Sequence, residues 1–92
     1  MNYFVLIYHL VDDYLLLRTA HREEHLHLST EANRHGDLLL AGAFSNPADR
    51  ALLIFRVKDK AIIEEFIRND PYVVNGLVTR WEIRPWTVVI GK

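Results

Sequence analysis

The chain changes its hydrophobic period several times, and each change marks the start of a new element. Residues 2–10, NYFVLIYHL, are rich in β-branched and aromatic side chains and predict a strand with both faces at least partly buried. Asp12 or Asp13 can cap the helix that follows, predicted to run to about His35 and to stop at Gly36. LLLAGAF (38–44) predicts a second strand and SNPAD (45–49) a turn, with Asn46-Pro47 as its strongest signal. ALLIFRV (51–57) predicts a third strand hairpinned back on the second. Asp59 is placed to cap a second helix, whose apolar stripe is Ile62, Ile63, Phe66 and Ile67. Pro71 ends that helix, because proline disfavours helical geometry at Asp70 before it. Around Leu77–Arg84, Leu77, Thr79, Trp81 and Ile83 alternate with Val78, Arg80, Glu82 and Arg84, the period of a fourth strand. The tail WTVVI (86–90) predicts a fifth strand, at an edge or crossing to a partner.

The order β-α-β-β-α-β is that of a ferredoxin-like α+β sandwich, with both helices on one face of the sheet. Residues 1–92 suit a single domain, with no internal repeat, linker or low-complexity tract. The two helices cover only one sheet face. Yet the third strand offers Leu52 and Ile54 on one side and Leu53, Phe55 and Val57 on the other. A bare apolar face exceeds what monomers tolerate, at roughly 25 cal/mol lost per Å² left in water. A second copy of the chain would cover it, so a homodimer is expected.

Composition narrows the function classes. Half of the residues are hydrophobic, a quarter are charged, and the formal net charge is −1. Without a basic cluster, nucleic acid is not expected as a partner. The absence of cysteine excludes disulfides, thiolate metal sites and cysteine nucleophiles. No signal-peptide pattern opens the chain and no apolar run is long enough to span a bilayer, so a cytoplasmic protein with no membrane partner is expected. No Gly-rich phosphate loop, nucleophile elbow or flavin fingerprint points to a cofactor.

Three of the five histidines lie in AHREEHLHL (20–28). HREEH (21–25) fits the H-x-x-E-H pattern of one class of zinc peptidases. Such enzymes are much larger and need a further acidic ligand on another helix, so no metal is expected here. On a helical wheel, Leu15, Leu26 and Ala32 share a sector with Arg18, Arg22, His25 and Ser29. His27, Glu23, Thr30 and Arg34 lie opposite, which makes His27 a solvated residue; His35 suits the helix C-terminus and His21 the boundary. Arg22 and His25 are neighbours on the apolar side and need polar partners there. A structural ion pair and a working histidine both satisfy that need.

Several segments resemble the YciI-like (YCII-related) family in their order and spacing. They are R-x-x-H-L at Arg22–Leu26, Gly36 eleven residues after that histidine, LLLAGA at 38–43, DPY at Asp70–Tyr72, YVVNGLVTRWEIRPW at 72–86 and the terminal VV. The resemblance covers nearly the whole chain. It implies a ferredoxin-like fold paired into a dimeric α+β barrel, and an active site on a His–Asp pair, carried over here to His25 and Asp70. Many members have AGP where this chain has Ala41-Gly42-Ala43, a departure that bears on the loop toward Ser45 and on the substrate.

Two functions follow. In the first, His25 is a general acid/base, Asp70 orients it, and Arg18 and Arg22 bind an anionic or phenolic oxygen through their planar donors. Ser45 and Tyr72 are further candidate substrate contacts. The chemistry would be cofactor-free proton transfer, an elimination, isomerisation or lactone-type rearrangement of a small, aromatic or carbonyl compound. In the second, the same pocket holds a metabolite in a non-catalytic or accessory homodimer, with His25 and Asp70 as a polar anchor. Trp81 is expected in the core; Trp86 is open between pocket and interface.

Overall fold

A computed structural model describes residues 1–91. The elements are β1 (Asn2–Leu10), α1 (Tyr14–Leu17), a 3₁₀ turn (Arg18–Ala20), α2 (Arg22–Arg34), β2 (Leu38–Ala43), β3 (Arg50–Val57), α3 (Ala61–Asn69), α4 (Pro71–Val74) and β4 (Val78–Pro85). The strands form one antiparallel sheet in the order β2-β3-β1-β4. That is the predicted α+β arrangement.

Register divides the central strands into two faces. Phe4, Leu6 and Tyr8 of β1 stand opposite Phe55, Leu53 and Ala51 of β3, and all six are buried beneath the helices. Ile63, Phe66 and Ile67 of α3 close over them, with Phe66 edge-on to Phe55 at 5.3 Å between ring centroids. Each such side chain contributes roughly 1.5–3 kcal/mol by leaving water. On the other face Val5 and Ile7 pair with Ile54 and Leu52, and all four stay only partly buried, with no element among the described residues lying over them.

Four expectations need correction. The first helix is not continuous: the chain tightens at Arg18–Ala20 and breaks at His21, where φ is −122° and ψ is 1°. Residues 18–21 bury no side chain fully, so no packing force holds them in α geometry. Ile62 is 39% exposed because only one side of α3 meets the sheet. Trp81 is 44% exposed because β4 is an edge strand. The tail at 86–90 adds no fifth strand to this sheet; its last ladder bond is donated by Trp86 N–H to the Tyr3 carbonyl at 2.9 Å.

The predicted stop at Gly36 is present. Gly36 has a φ of +85°, its N–H reaches the Asn33 carbonyl, and Asp37 N–H reaches that of Ala32, which closes the end of α2. Asp59 accepts from the N–H of Ala61, the first residue of α3, at 2.8 Å, while the cap position itself is taken by Lys60. No helix is long and apolar enough to cross a membrane among the described residues.

Candidate active site

The site begins at the junction of α3 and α4. Pro71 keeps Asp70 out of helical geometry, and Asp70 has φ −75° and ψ 117°. The chain therefore leaves α3 at Asp70 and re-enters a helix at once, with proline in its first turn. Asp70 caps this second helix by accepting from Tyr72 N–H through Oδ1 at 3.0 Å. This places a carboxylate at 0% exposure in the core, where it must be fully hydrogen-bonded.

Two further groups meet that need. His25, one turn into α2, brings Nδ1 to 2.8 Å from Asp70 Oδ1. Tyr8, on the buried face of β1, donates its hydroxyl to Oδ2 at 2.7 Å. A carboxylate only accepts, so the His25 hydrogen in this bond sits on Nδ1 and the neutral ring carries its lone pair on Nε2. Burial, followed by the Asp70 charge and the hydrogen bond to it, pushes the Tyr8 hydroxyl far above the usual tyrosine range.

The His25 ring is stacked on Tyr72, with centroids 3.8 Å apart. Tyr72 in turn meets the edge of Tyr14 at 5.7 Å, and the Arg18 guanidinium lies 5.4 Å over the Tyr14 ring. The Tyr72 hydroxyl is buried and has no hydrogen-bond partner among the described residues. Burial raises its pKa, and Tyr14 adds to the rise; the charges of Arg22 and Arg18 pull the other way, as does the approach of Arg22 to the hydroxyl, which falls short of a well-formed hydrogen bond. Neither arginine forms an ion pair with a carboxylate among the described residues.

These groups border a cavity of about 330 Å³. Its walls are Leu26, Ser29, Thr30 and Asn33 of α2 and residues 38–43 of β2, over a floor that includes Tyr8, Ala51 and Leu53. Asn33 Nδ2 donates to the Leu38 carbonyl at 2.8 Å and joins the two walls. The His25 side chain is 14% exposed, so it is neither sealed nor freely solvated. A cavity of this size, lined by leucines and alanines on one side and by convergent polar groups on the other, has the form of a small-molecule site.

The structure thus brings together His25, Asp70, Arg18, Arg22 and Tyr72. Ser45 is not gathered with them: it lies exposed in the turn after β2, outside the residues that line the cavity. Tyr8 was missed by sequence reasoning. Its signal was a hydroxyl on the core-facing set of the central strand, where a buried donor must find an acceptor. His27 is exposed as expected, His35 lies at the end of α2, and no group of three or more His, Asp or Glu side chains is placed to hold a metal among the described residues.

The fold is a ferredoxin-like α+β sandwich, and its cavity lies between α2 and β2 beside the His25–Asp70 pair. The chain belongs to the family of YCII-related domains, which it matches over residues 1–87. It is also similar in structure to 5-chloro-2-hydroxyhydroquinone dehydrochlorinase (TftG) from Burkholderia phenoliruptrix AC1100, solved in complex with 2,5-dihydroxybenzoquinone. The TM-score is 0.78 at 16% sequence identity, covering 92% of this chain and 93% of that one. No curated protein matches the chain in sequence.

Proposed function

We propose that this protein is a homodimeric small-molecule enzyme that uses His25 for cofactor-free proton transfer. The observation that carries the reading is the 2.8 Å bond from His25 Nδ1 to fully buried Asp70, made by a ring that borders an accessible cavity. Asp70 holds the tautomer and offsets positive charge on the ring, which leaves Nε2 as the nitrogen available to a substrate. Arg22 and Arg18, which form no ion pair among the described residues, bring positive charge to the same cavity, suited to a phenolate, enolate or carboxylate oxygen.

An elimination fits these groups. Nε2 takes a proton from carbon, the C–H electron pair forms the new double bond, and the leaving group departs from the adjacent carbon with its own bonding pair. The dehydrochlorinase that shares the fold supports this class of reaction and a hydroxylated ring as the substrate type. Isomerisation would use the same base and return the proton elsewhere. A second copy of the chain covers the Val5, Ile7, Leu52 and Ile54 face.

The test is a panel of halogenated and hydroxylated aromatic compounds and small carbonyl compounds, assayed with the wild type and His25→Ala. Turnover by the wild type that is lost in His25→Ala supports the reading. Equal turnover by both proteins overturns the role of His25. Saturable binding with no turnover by any compound would make the pair a polar anchor in a binding protein.

A further inference from the structure

Tyr8 lies near the C-terminal end of β1, between Ala51 of β3 and Trp81 of β4, and is 1% exposed. Its hydroxyl is one of three donors that converge on Asp70: Tyr8 O–H on Oδ2, and Tyr72 N–H with His25 Nδ1–H on Oδ1. Packing alone would need only the ring, which phenylalanine supplies. The hydroxyl does something more specific, because donors on one carboxylate draw on a single delocalised charge.

We propose that Tyr8 is a positioning residue that acts through Asp70, sharing the carboxylate's charge and thereby setting how strongly Asp70 grips the His25 ring. The carboxylate has no hydrogen to give, so the Tyr8 oxygen can only donate to it. Burial and the adjacent charge keep that hydroxyl protonated, so the bond persists across the working pH range. With Tyr8 in place, Asp70 is held from the sheet, from the start of α4 and from α2. Without it, Oδ2 becomes a buried acceptor with no partner, and the charge is concentrated on the bonds that Oδ1 makes. The effect on turnover rests on the proton-transfer reading; the coupling of Tyr8 to the His25 hydrogen bond does not.

The experiment is NMR of the full chain with ¹⁵N-labelled histidine, following the His25 Nδ1–H proton and both ring nitrogens. Tyr8→Phe is expected to move the Nδ1–H resonance downfield, as the remaining bond to Asp70 shortens. Replacing Tyr8 with 3,5-difluorotyrosine, a more acidic phenol and stronger donor of nearly the same shape, is expected to move it upfield. This second variant decides the matter if Tyr8→Phe fails to fold. With a substrate in hand, Tyr8→Phe should shift kcat by up to about tenfold, the scale of one ordinary hydrogen bond, with KM little changed. An Nδ1–H resonance that stays in place in the folded variants, or that moves against these directions, overturns the proposal. Turnover that survives His25→Ala overturns the proton-transfer reading alone and leaves the NMR result standing.

Discussion

The imidazole of His25 lies flat on the phenol ring of Tyr72, with centroids 3.8 Å apart and planes 9° from parallel. The two residues come from α2 and α4, so the stack ties the helices together at the point where Asp70 binds the edge of the imidazole. The ring of Tyr72 orients the histidine, while its hydroxyl is buried without a hydrogen-bond partner among the described residues. A buried unpaired hydroxyl costs about 1–3 kcal/mol.

Tyr72→Phe should therefore fold at least as stably as the wild type and keep the stack, while binding an anionic ligand more weakly. Thermal midpoints and ligand titrations on both proteins check this. A stability loss above about 1 kcal/mol would show that the hydroxyl is already satisfied in the free protein.

The His25–Asp70 pair should behave as one unit. Loss of a general acid/base lowers rates by about 10²–10⁴-fold. Asp70→Asn can keep its oxygen toward His25 and Tyr72 N–H if its amide group faces Tyr8, the one neighbour able to accept. The geometry then survives and the charge is lost, so activity should fall while the fold persists. Residues that act together lose activity non-additively. The double mutant should accordingly be little worse than His25→Ala, a comparison that kcat/KM for the three variants provides. Additive losses would separate the two roles.

Stability should decline in alkali. Tyr8 and Tyr72 both have folded pKa values raised above the ordinary 10.0. Their hydroxyls ionise more readily in the unfolded chain, so their contribution is complete below pH 10 and is lost as pH rises toward the folded values. For Tyr8 the expected slope is about 1.4 kcal/mol per pH unit above pH 10. Tyr72 adds less, because Arg22 and Arg18 offset part of the rise. Denaturant melts between neutral pH and strong alkali should show the decline, and Tyr8→Phe should flatten it. A Tyr8→Phe curve parallel to the wild type would remove Tyr8 as the cause.

The uncovered sheet face should bring two chains together. Light scattering at micromolar concentration is expected to give the mass of a dimer. Ile54→Asp, opposite Val5 at the centre of that face, should give a monomer. A wild-type monomer would show that the face is tolerated in water.

Local chemistry made much of this protein legible in its sequence. The span of β1, the stop of α2 at Gly36, the β2–β3 hairpin and the exit from α3 before Pro71 all follow from side-chain alternation, glycine at positive φ and proline geometry. Those are properties of a few neighbouring residues. The same patterning exposed the apolar second face and picked out His25 as a polar group on a helix face with apolar neighbours. His25 and Asp70 are 45 positions apart, so pairing them needed the resemblance to relatives as well.

Tertiary packing decided the rest. The 3₁₀ turn at Arg18–Ala20 and the break at His21 fall where no side chain is fully buried, so the local pattern gave no sign of either. Ser45 lies two residues beyond β2, and which side of the cavity that turn faces depends on the path of the hairpin. Tyr8 read as one more apolar strand residue, since a hydroxyl reveals its acceptor only when a residue 62 positions away is folded against it. A strand presents side chains by alternation, a local rule. A buried carboxylate collects donors from wherever the packed chain brings them, and here that is three separate elements.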